Sequence, residues 1–250
     1  SQINEILKKE VDAIIFDLGL SSIQLNNLSR GFSFKSKDKL DMTMGLSNIS
    51  AQDVINNLSE TKLKLIIKIL GEEKEASKIA KNIVKARSAK TITRVDELVK
   101  IIEESKKKNL SSKINPSTKT FQALRIFVNK EISELINGII NATKFLKPGG
   151  KILVVSFHSI EDKIVKYFFS NLSVNKSKPS RYFPEENNNT TLFEEYKNKV
   201  IKPSLQEIEK NNPSRSAKLR FAIRNKNTFK HPYILAQKFE KYLKIEAFNV

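Results

Sequence analysis

The 250-residue sequence contains no cysteine and only two histidines, His158 and His231. Without cysteine the chain can form no disulfide, no thiolate nucleophile and no cysteine-ligated zinc or iron–sulfur centre. Two histidines are too few for a multi-histidine metal site, so we expect no metal. The lack of cysteine also fits a reducing compartment, and we therefore expect a cytoplasmic protein.

Long apolar runs and glycine-rich loops are missing as well. A membrane span needs about 18 uninterrupted apolar residues, and no stretch approaches that length. Residues 1–5 lack the basic-then-apolar order of a signal peptide. The seven glycines form neither the G-x-x-x-x-G-K-[ST] pattern of a Walker-type phosphate loop nor the G-x-G of a usual Gly-rich cofactor turn. No G-x-S-x-G elbow surrounds Ser159, so a hydrolase triad is disfavoured.

Positive charge is in excess, because 45 Lys and Arg residues face 27 Asp and Glu residues and give a net charge of +18. Such a surplus favours a polyanionic partner. Lysine outnumbers arginine 37 to 8, which drift in base composition would also produce, so clustered arginines are more informative. A hydrophobic content of 39% is enough for a folded core in one or two domains.

Two short apolar runs predict buried parallel strands. The first covers residues 11–17 and precedes Gly19, and the second covers residues 152–157. A helix over 3–10 leads into the first strand, and a long amphipathic helix over 120–146 leads into the second. This alternation of helix and strand predicts an α/β fold.

The segment between the two strands shows helical periodicity without strand patterns. Ser50 and Thr93 look like helix caps, Gly71 closes one helix, and a further helix covers residues 79–84. We therefore interpret residues 45–112 as a helical insertion, with a linker over 106–116.

Beyond the second strand the sequence predicts five further segments. In chain order they are a helix over 160–171, a polar loop over 173–196, late strands at 199–201 and 218–224, and a tail from residue 227.

Polar residues follow both predicted strands. Because the carboxyl ends of parallel strands meet at one sheet edge, Asp17 and His158 should face one ligand site there. Other interpretations stay open: Asp17 could order a loop, His158 could be structural, and Glu161 and Asp162 could be ordinary acids of a helix's first turn.

Arginine is densest between Ser214 and Arg220. The side chains of Arg215, Lys218 and Arg220 suit phosphate contacts, although a solvated strand edge would look similar.

Several strings occur in a specific order: Phe-Asp-Leu-Gly-Leu-Ser-Ser-Ile-Gln-Leu (16–25), Arg-Gly-Phe-Ser-Phe (30–34), Leu-Asp-Met-Thr-Met (40–44), Thr-Phe-Gln-Ala-Leu-Arg-Ile (120–126), Val-Ser-Phe-His-Ser-Ile-Glu-Asp (155–162) and Arg-Ser-Ala-Lys-Leu-Arg (215–220). With them the chain resembles the bacterial 16S ribosomal RNA (cytosine-N4)-methyltransferases, the MraW or RsmH family, over about residues 1–226.

The resemblance implies a Rossmann-like S-adenosyl-L-methionine-dependent methyltransferase domain with an inserted all-helical domain. Residues 1–44 and 118–226 would form the methyltransferase domain, residues 45–117 the insertion for substrate recognition, and residues 227–250 a C-terminal tail. The implied substrate is a cytidine in the decoding region of small-subunit ribosomal RNA, free or in the assembled subunit, and a homodimer is left open.

Family members carry a Gly-rich turn and an acidic residue before the segment that matches Val11, and these residues hold the cofactor. We therefore expect an N-terminally incomplete methyltransferase domain, a cofactor site that retains Asp17 and Gln24, and weak binding of S-adenosyl-L-methionine. A non-catalytic RNA-binding remnant is one alternative. A DNA amino-methyltransferase is the other, and it is less favoured because the Asp17 string departs from Asp/Asn-Pro-Pro-Tyr/Phe.

Catalytic roles are implied for Asp17, as acceptor of a proton from N4, and for His158, which would accept a proton or orient the base. The target base must be unstacked, and an aromatic side chain of Phe32, Phe34 or Phe157 would stack on it. Further contacts to RNA are expected from Asp41, Ser159, Arg215, Lys218 and Arg220.

Overall fold

A computed structural model describes residues 9–45, 47–106, 115–174 and 191–250. Most of the predicted 3–10 helix, of the 106–116 linker and of the 173–196 loop lies outside these residues. The described elements, in chain order, are β1 (Val11–Asp17), α1 (Ser22–Asn26), α2 (Ala51–Asn57), α3 (Glu60–Leu70), α4 (Ala76–Ala89), α5 (Val95–Ser105), α6 (Thr118–Asn129), α7 (Glu131–Phe145), β2 (Leu146–Ser156), α8 (Ser159–Asn171), α9 (Leu205–Lys210), β3 (Lys218–Ile223), α10 (Tyr233–Lys238) and α11 (Glu240–Glu246).

The chain divides into two compact units. The sheet unit comprises Ser1–Gly19 and Glu134–Phe239, and the helical unit comprises Leu20–Ser133 and Glu240–Val250. Each unit is compact in its own contacts. Compactness does not show which segment is inserted into the methyltransferase domain, so the predicted boundaries at residues 45 and 117 stay a prediction.

The sheet unit is built on three strands in the order β1-β2-β3. Strands β1 and β2 are parallel, with Asp17 beside Val155, and β3 runs antiparallel to β2, with Arg220 beside Val154. The two predicted parallel strands are thereby confirmed, although β2 begins at Leu146 rather than at residue 152. Of the late strands, 218–224 is confirmed as β3, whereas Ile201 forms only an isolated bridge to Leu219.

The prediction that β1 is a buried strand is wrong for one of its faces. Ile14 and Phe16 are half-buried, whereas Ile15 is 69% exposed. Helix α7 approaches the covered face closely, since a Cβ atom added to Gly138 would lie 3.2 Å from Cε1 of Phe16. A run of apolar residues cannot reveal this difference, because it carries no alternation that marks one face.

Helix α8 and the segment after it supply the apolar core of the sheet unit. Phe168, Phe169, Phe193 and Tyr196 form an aromatic cluster with ring centroids 5.3 to 5.9 Å apart. Most of these pairs meet edge to face, a geometry that adds about 0.5–1.5 kcal/mol per pair to the burial of apolar area.

The helical unit confirms the helices predicted between the strands, and its described residues from 47 to 106 contain no strand of the sheet. Ser50 forms a capping box with Asp53, and α3 ends before Gly71, where a Cβ atom would lie 2.4 Å from the Lys119 carbonyl oxygen. The predicted Thr93 cap is wrong. Helix α5 begins at Val95, and the Thr93 amide donates to Glu97.

The single helix predicted over 120–146 is also wrong, because α6 and α7 are separated at Lys130. Lys130 has a left-handed backbone with φ 50°. The Asn129 side chain accepts a bond from the Met44 amide and donates to the Met42 carbonyl, which fixes the end of α6. These partners lie more than 80 residues away, so local periodicity could not show the break.

The C-terminal tail is helical over most of its length. Tyr242, Ile245 and Glu246 of α11 are buried in the helical unit. The Glu246 carboxylate accepts the Ile132 amide at 2.9 Å and the Ser133 amide at 2.8 Å, and so caps the start of α7. None of the helices in the described residues is long and apolar enough to cross a membrane.

Candidate functional site

The carboxyl ends of β1 and β2 lie side by side in the sheet unit. Asp17 is exposed at the end of β1, and the next amide, that of Leu18, donates to Val155 of β2 at 3.1 Å. Neighbouring strands are about 5 Å apart, so the residue that follows β1 lies close to the residue that follows β2.

Gly19 and Phe157 meet at this edge. Gly19 has φ +90°, a conformation that favours glycine, and a Cβ atom added there would lie 3.4 Å from Cδ2 of Phe157. The Phe157 ring therefore lies against Gly19 while remaining 36% exposed. In the sequence Gly19 only follows the first apolar run, but in the structure it is the surface on which this ring rests.

Phe157 and His158 are held by the first turn of α8. The Glu161 carboxylate accepts the Phe157 amide at 2.9 Å and the His158 amide at 3.2 Å. His158 occupies the N-cap position, where its Nδ1 atom makes a long 3.5 Å contact with the Glu161 amide. Glu161 is thus a capping residue, which agrees with its alternative interpretation as an ordinary acid of a helix's first turn.

The imidazole of His158 faces Glu161 rather than open solvent. Its Nε2 atom lies 3.2 Å from the Glu161 carboxylate but is not aligned for a hydrogen bond, and it has no other hydrogen-bond partner among the described residues. The side chain is only 9% exposed. This environment favours the structural interpretation of His158 over that of a freely accessible proton acceptor.

Asp162 joins α8 to β3. Its carboxylate accepts Arg220 Nε at 2.7 Å and Lys218 Nζ at 3.1 Å. Burial alone would raise the pKa of Asp162, but the hydrogen bonds from the two cations outweigh it and lower the pKa.

The Arg220 guanidinium is 7% exposed and also donates to the Tyr196 hydroxyl and the Asn198 side chain. We therefore no longer interpret Arg220 as an RNA ligand. Nothing in the local pattern connects residue 196 with residue 220, so the sequence could not show this network.

The other predicted RNA contacts of the sheet unit differ in accessibility. Arg215 is exposed at the end of a 3₁₀ turn over Asn212–Ser216. Lys218 is half-exposed and shared with Asp162, while Ser159 is the half-buried first residue of α8. Of the two cations, Arg215 is more exposed than Lys218.

The remaining predicted site residues belong to the helical unit. The amide oxygen of Gln24 accepts the Ser21 backbone N–H at 2.9 Å in a capping box at the start of α1. The Asp41 carboxylate accepts the Thr43 hydroxyl at 3.1 Å. Both side chains therefore have local structural partners.

Two of the predicted stacking residues are packed within the helical unit. Phe32 is 6% exposed beneath the Arg30 guanidinium, which lies 5.4 Å from the ring centroid, and Phe34 meets Phe121 edge to face at 6.5 Å. The prediction that Phe32 offers a free stacking face is wrong. Of the three aromatic candidates, Phe157 has the exposed ring at the sheet edge.

Comparison with known proteins now decides the family. The sequence profile of the MraW methylase family matches residues 1–225. This chain belongs to the MraW methylase family. The match includes every residue named above at the carboxyl edge of the sheet and ends shortly after β3.

Relatives in this family carry the name ribosomal RNA small subunit methyltransferase H. The protein of Bartonella bacilliformis is 45% identical over 225 residues, which are 90% of this chain and 67% of that protein. The protein of Parvibaculum lavamentivorans is 42% identical over 222 residues, or 89% of this chain and 66% of that protein. The chain thus spans about two thirds of the length of its MraW relatives.

Proposed function

We propose that this protein transfers a methyl group from S-adenosyl-L-methionine to N4 of a cytidine in the decoding region of 16S ribosomal RNA. The observation that carries the proposal is the 45% identity over 225 residues to a protein named ribosomal RNA small subunit methyltransferase H. The net charge of +18 supports a nucleic-acid substrate, because the phosphate backbone is a polyanion.

The carboxyl edge of the sheet has side chains that suit this chemistry. Asp17 is an exposed carboxylate that can attract the positive charge of the methyl donor, and the Phe157 ring offers an apolar face to a flat base. The placement of both residues beyond parallel strands is the usual position of ligands in open α/β sheets. A role for Gln24 in holding the cofactor remains a prediction from the family resemblance.

Bound S-adenosyl-L-methionine supplies a methyl group that its sulfonium sulfur already activates. Transfer of that methyl group from sulfur to cytosine N4 would require one N4 proton to leave. The Asp17 carboxylate is the side chain we propose to accept that proton. Positioning of N4 against the methyl group then supplies much of the acceleration, since such alignment can contribute up to roughly 7–11 kcal/mol.

His158 has a different role in this proposal from the catalytic one that the resemblance implied. Its ring is buried at the N-cap of α8 and its amide is held by Glu161. We assign His158 to positioning: it fixes the turn that presents Phe157, and Phe157 stacks on the unstacked target base.

The test is methylation of small-subunit ribosomal RNA by the full chain, with N4-methylcytidine detected by mass spectrometry. The methyl donor is supplied at saturating concentration. Replacement of Asp17 by Asn should lower the single-turnover rate by about 100-fold or more, the range for loss of a general base. The thermal melting curve should stay unchanged, because the Asp17 side chain is exposed.

Asp12→Asn is the matched control. Asp12 is an exposed carboxylate on the same strand, paired with Lys147 at 2.9 Å near the opposite end of β1. Near-normal turnover in Asp17→Asn would contradict the proposed role of Asp17. No methylation and no donor binding by the unaltered chain would favour the non-catalytic RNA-binding alternative.

A further inference from the structure

Helix α4 of the helical unit has a buried face that fixes its orientation. Ile79, Ala80 and Ile83 are fully buried on this side of the helix. Arg87, which lies near the same side, donates to the Ile55 carbonyl at 2.6 Å. The opposite side of α4 is therefore held in a defined position toward solvent.

Three lysines occupy that opposite side. Lys78, Lys81 and Lys85 are exposed, and their i, i+3, i+7 spacing aligns them along one line of the helix. We call these three residues the lysine stripe. At a rise of 1.5 Å per residue it extends over about 10 Å, so each ammonium group can reach a different anionic group.

The lysine stripe is not neutralised by acids. Helix α4 contains no Asp or Glu from Ala76 to Ala89, and within the described part of the chain none of the three lysines forms an ion pair. Three lysines elsewhere in the unit are paired, since Lys90 lies 2.8 Å from Glu97, Lys106 bonds Glu73 and Lys244 lies 2.9 Å from Glu240. The stripe is set apart by its helix, because α4 has no acid whereas α5 carries four acids beside Lys100.

We propose that the lysine stripe binds the phosphate backbone of the RNA substrate, an inference that rests on the proposed function. Lysine is a flexible point charge suited to phosphate contacts that position a nucleic acid without reading its bases. Protein interfaces instead depend on Trp, Tyr or Arg anchors near their centre. The exposed neighbours of the stripe in α4 are Ser77, Ser88 and Ala89, none of them a large apolar anchor, which favours an RNA over an acidic protein as partner.

The test compares two triple variants of the full chain, each of which removes three positive charges from the helical unit. The stripe variant is Lys78→Gln, Lys81→Gln and Lys85→Gln. The control variant is Lys90→Gln, Lys100→Gln and Lys244→Gln, since Lys90 and Lys244 are paired with acids and Lys100 is an exposed lysine of the acid-bearing helix α5. Affinity for a small-subunit ribosomal RNA transcript is measured without methyl donor at 50 to 200 mM salt.

Loss of three phosphate contacts should reduce the slope of log affinity against log salt by about 2–3. When the salt concentration rises fourfold, the RNA affinity of both proteins falls. The fold-loss for the unaltered chain should be about 20 to 40 times the fold-loss for the stripe variant. The control variant should keep a slope close to that of the unaltered chain. Lysine-to-arginine substitution at the three positions of the lysine stripe should also keep the salt slope, because the charge remains.

Equal slopes for the stripe and control variants would overturn the proposal, as would a loss of binding to polyglutamate without a loss for RNA. The melting curve checks that the exposed substitutions leave the fold intact. Because the assay needs no methyl donor, it stands apart from the proposed reaction. Methylation with equal slopes would refute only the lysine stripe, whereas a stripe-dependent slope without methylation would refute only the methyl transfer.

Discussion

Replacement of Asp162 by Asn is expected to destabilise the sheet unit, because it removes the anion between α8 and β3. Arg220, whose side chain is 7% exposed, would keep Tyr196 and Asn198 as partners but would lose its counter-charge. Breaking a buried ion pair in this way costs about 3–5 kcal/mol. We expect about 3 kcal/mol, at the lower end of that range, because Lys218 is partly hydrated.

The loss can be measured by hydrogen exchange of the amides in β2 and β3. A change of about 3 kcal/mol corresponds to protection that falls about 100-fold, since 1.4 kcal/mol is a factor of ten. The pKa of Asp162 is lowered in the folded protein by Arg220 and Lys218 despite its burial. Its stabilising contribution is therefore present above the ordinary value of 3.8 and is lost as pH falls through the lowered pKa. The difference between the two proteins should shrink in acid accordingly.

Asp96→Asn is the control for this prediction, because Asp96 forms an ion pair with Arg94 in which both side chains are over 40% exposed. It should cause a much smaller loss of protection, since exposed pairs are hydrated in either state. Unchanged protection in Asp162→Asn, together with tighter RNA binding, would refute our reasoning. That result would mean that Arg220 is released to bind phosphate rather than required inside the fold.

Two further predictions concern Glu246 and Arg215. Burial raises the pKa of Glu246, against the effect of its hydrogen bonds from Ser133 and Ile132, so the stability it contributes is greatest in acid and declines as pH rises through the raised pKa. Glu246→Gln should make the thermal stability of the helical unit less dependent on pH above 4.5, the ordinary value of this carboxyl pKa. An unchanged pH profile would contradict the buried-acid interpretation. Arg215→Ala should reduce the salt slope of RNA affinity by about 0.7–0.9 without changing the melting curve. Lys210→Ala, an exposed control, should leave the slope as it is. Equal slopes for the two variants would show that the RNA does not contact Arg215.

Features that depend on neighbouring residues could be predicted from the sequence. The Ser50 capping box needs only Asp53 three residues later, and Gly71 stands directly after the helical run that ends at Leu70. The parallel pairing of β1 and β2 was predictable for a related reason. Two apolar strands with helices between them are usually joined by a crossover that makes them parallel. Parallel pairing brings Asp17 and Phe157 to one edge of the sheet.

Features that depend on distant partners could not be predicted. The apolar periodicity continues through Lys130, but the Asn129 side chain bonds the segment at Met42 and Met44 and ends α6 there. The same limit applies to Arg220. Its sequence neighbours suggest a surface cluster, whereas Asp162, 58 residues earlier, draws it inside. A basic cluster therefore indicates RNA contacts only after the acids that face it are known.

The two acids after His158 illustrate how an ordinary pattern can support a site. In the sequence, Glu161 and Asp162 look like acids that interact with a helix dipole. In the structure, Glu161 binds the amides of Phe157 and His158, while Asp162 ties the same turn of α8 to β3 through Arg220. One acid thus sets the direction of the Phe157 backbone, and the other prevents the whole turn from moving against the sheet. Stacking requires a ring that is held in place before the base arrives. Glu161 and Asp162 therefore make the backbone of Phe157 rigid although its ring is exposed.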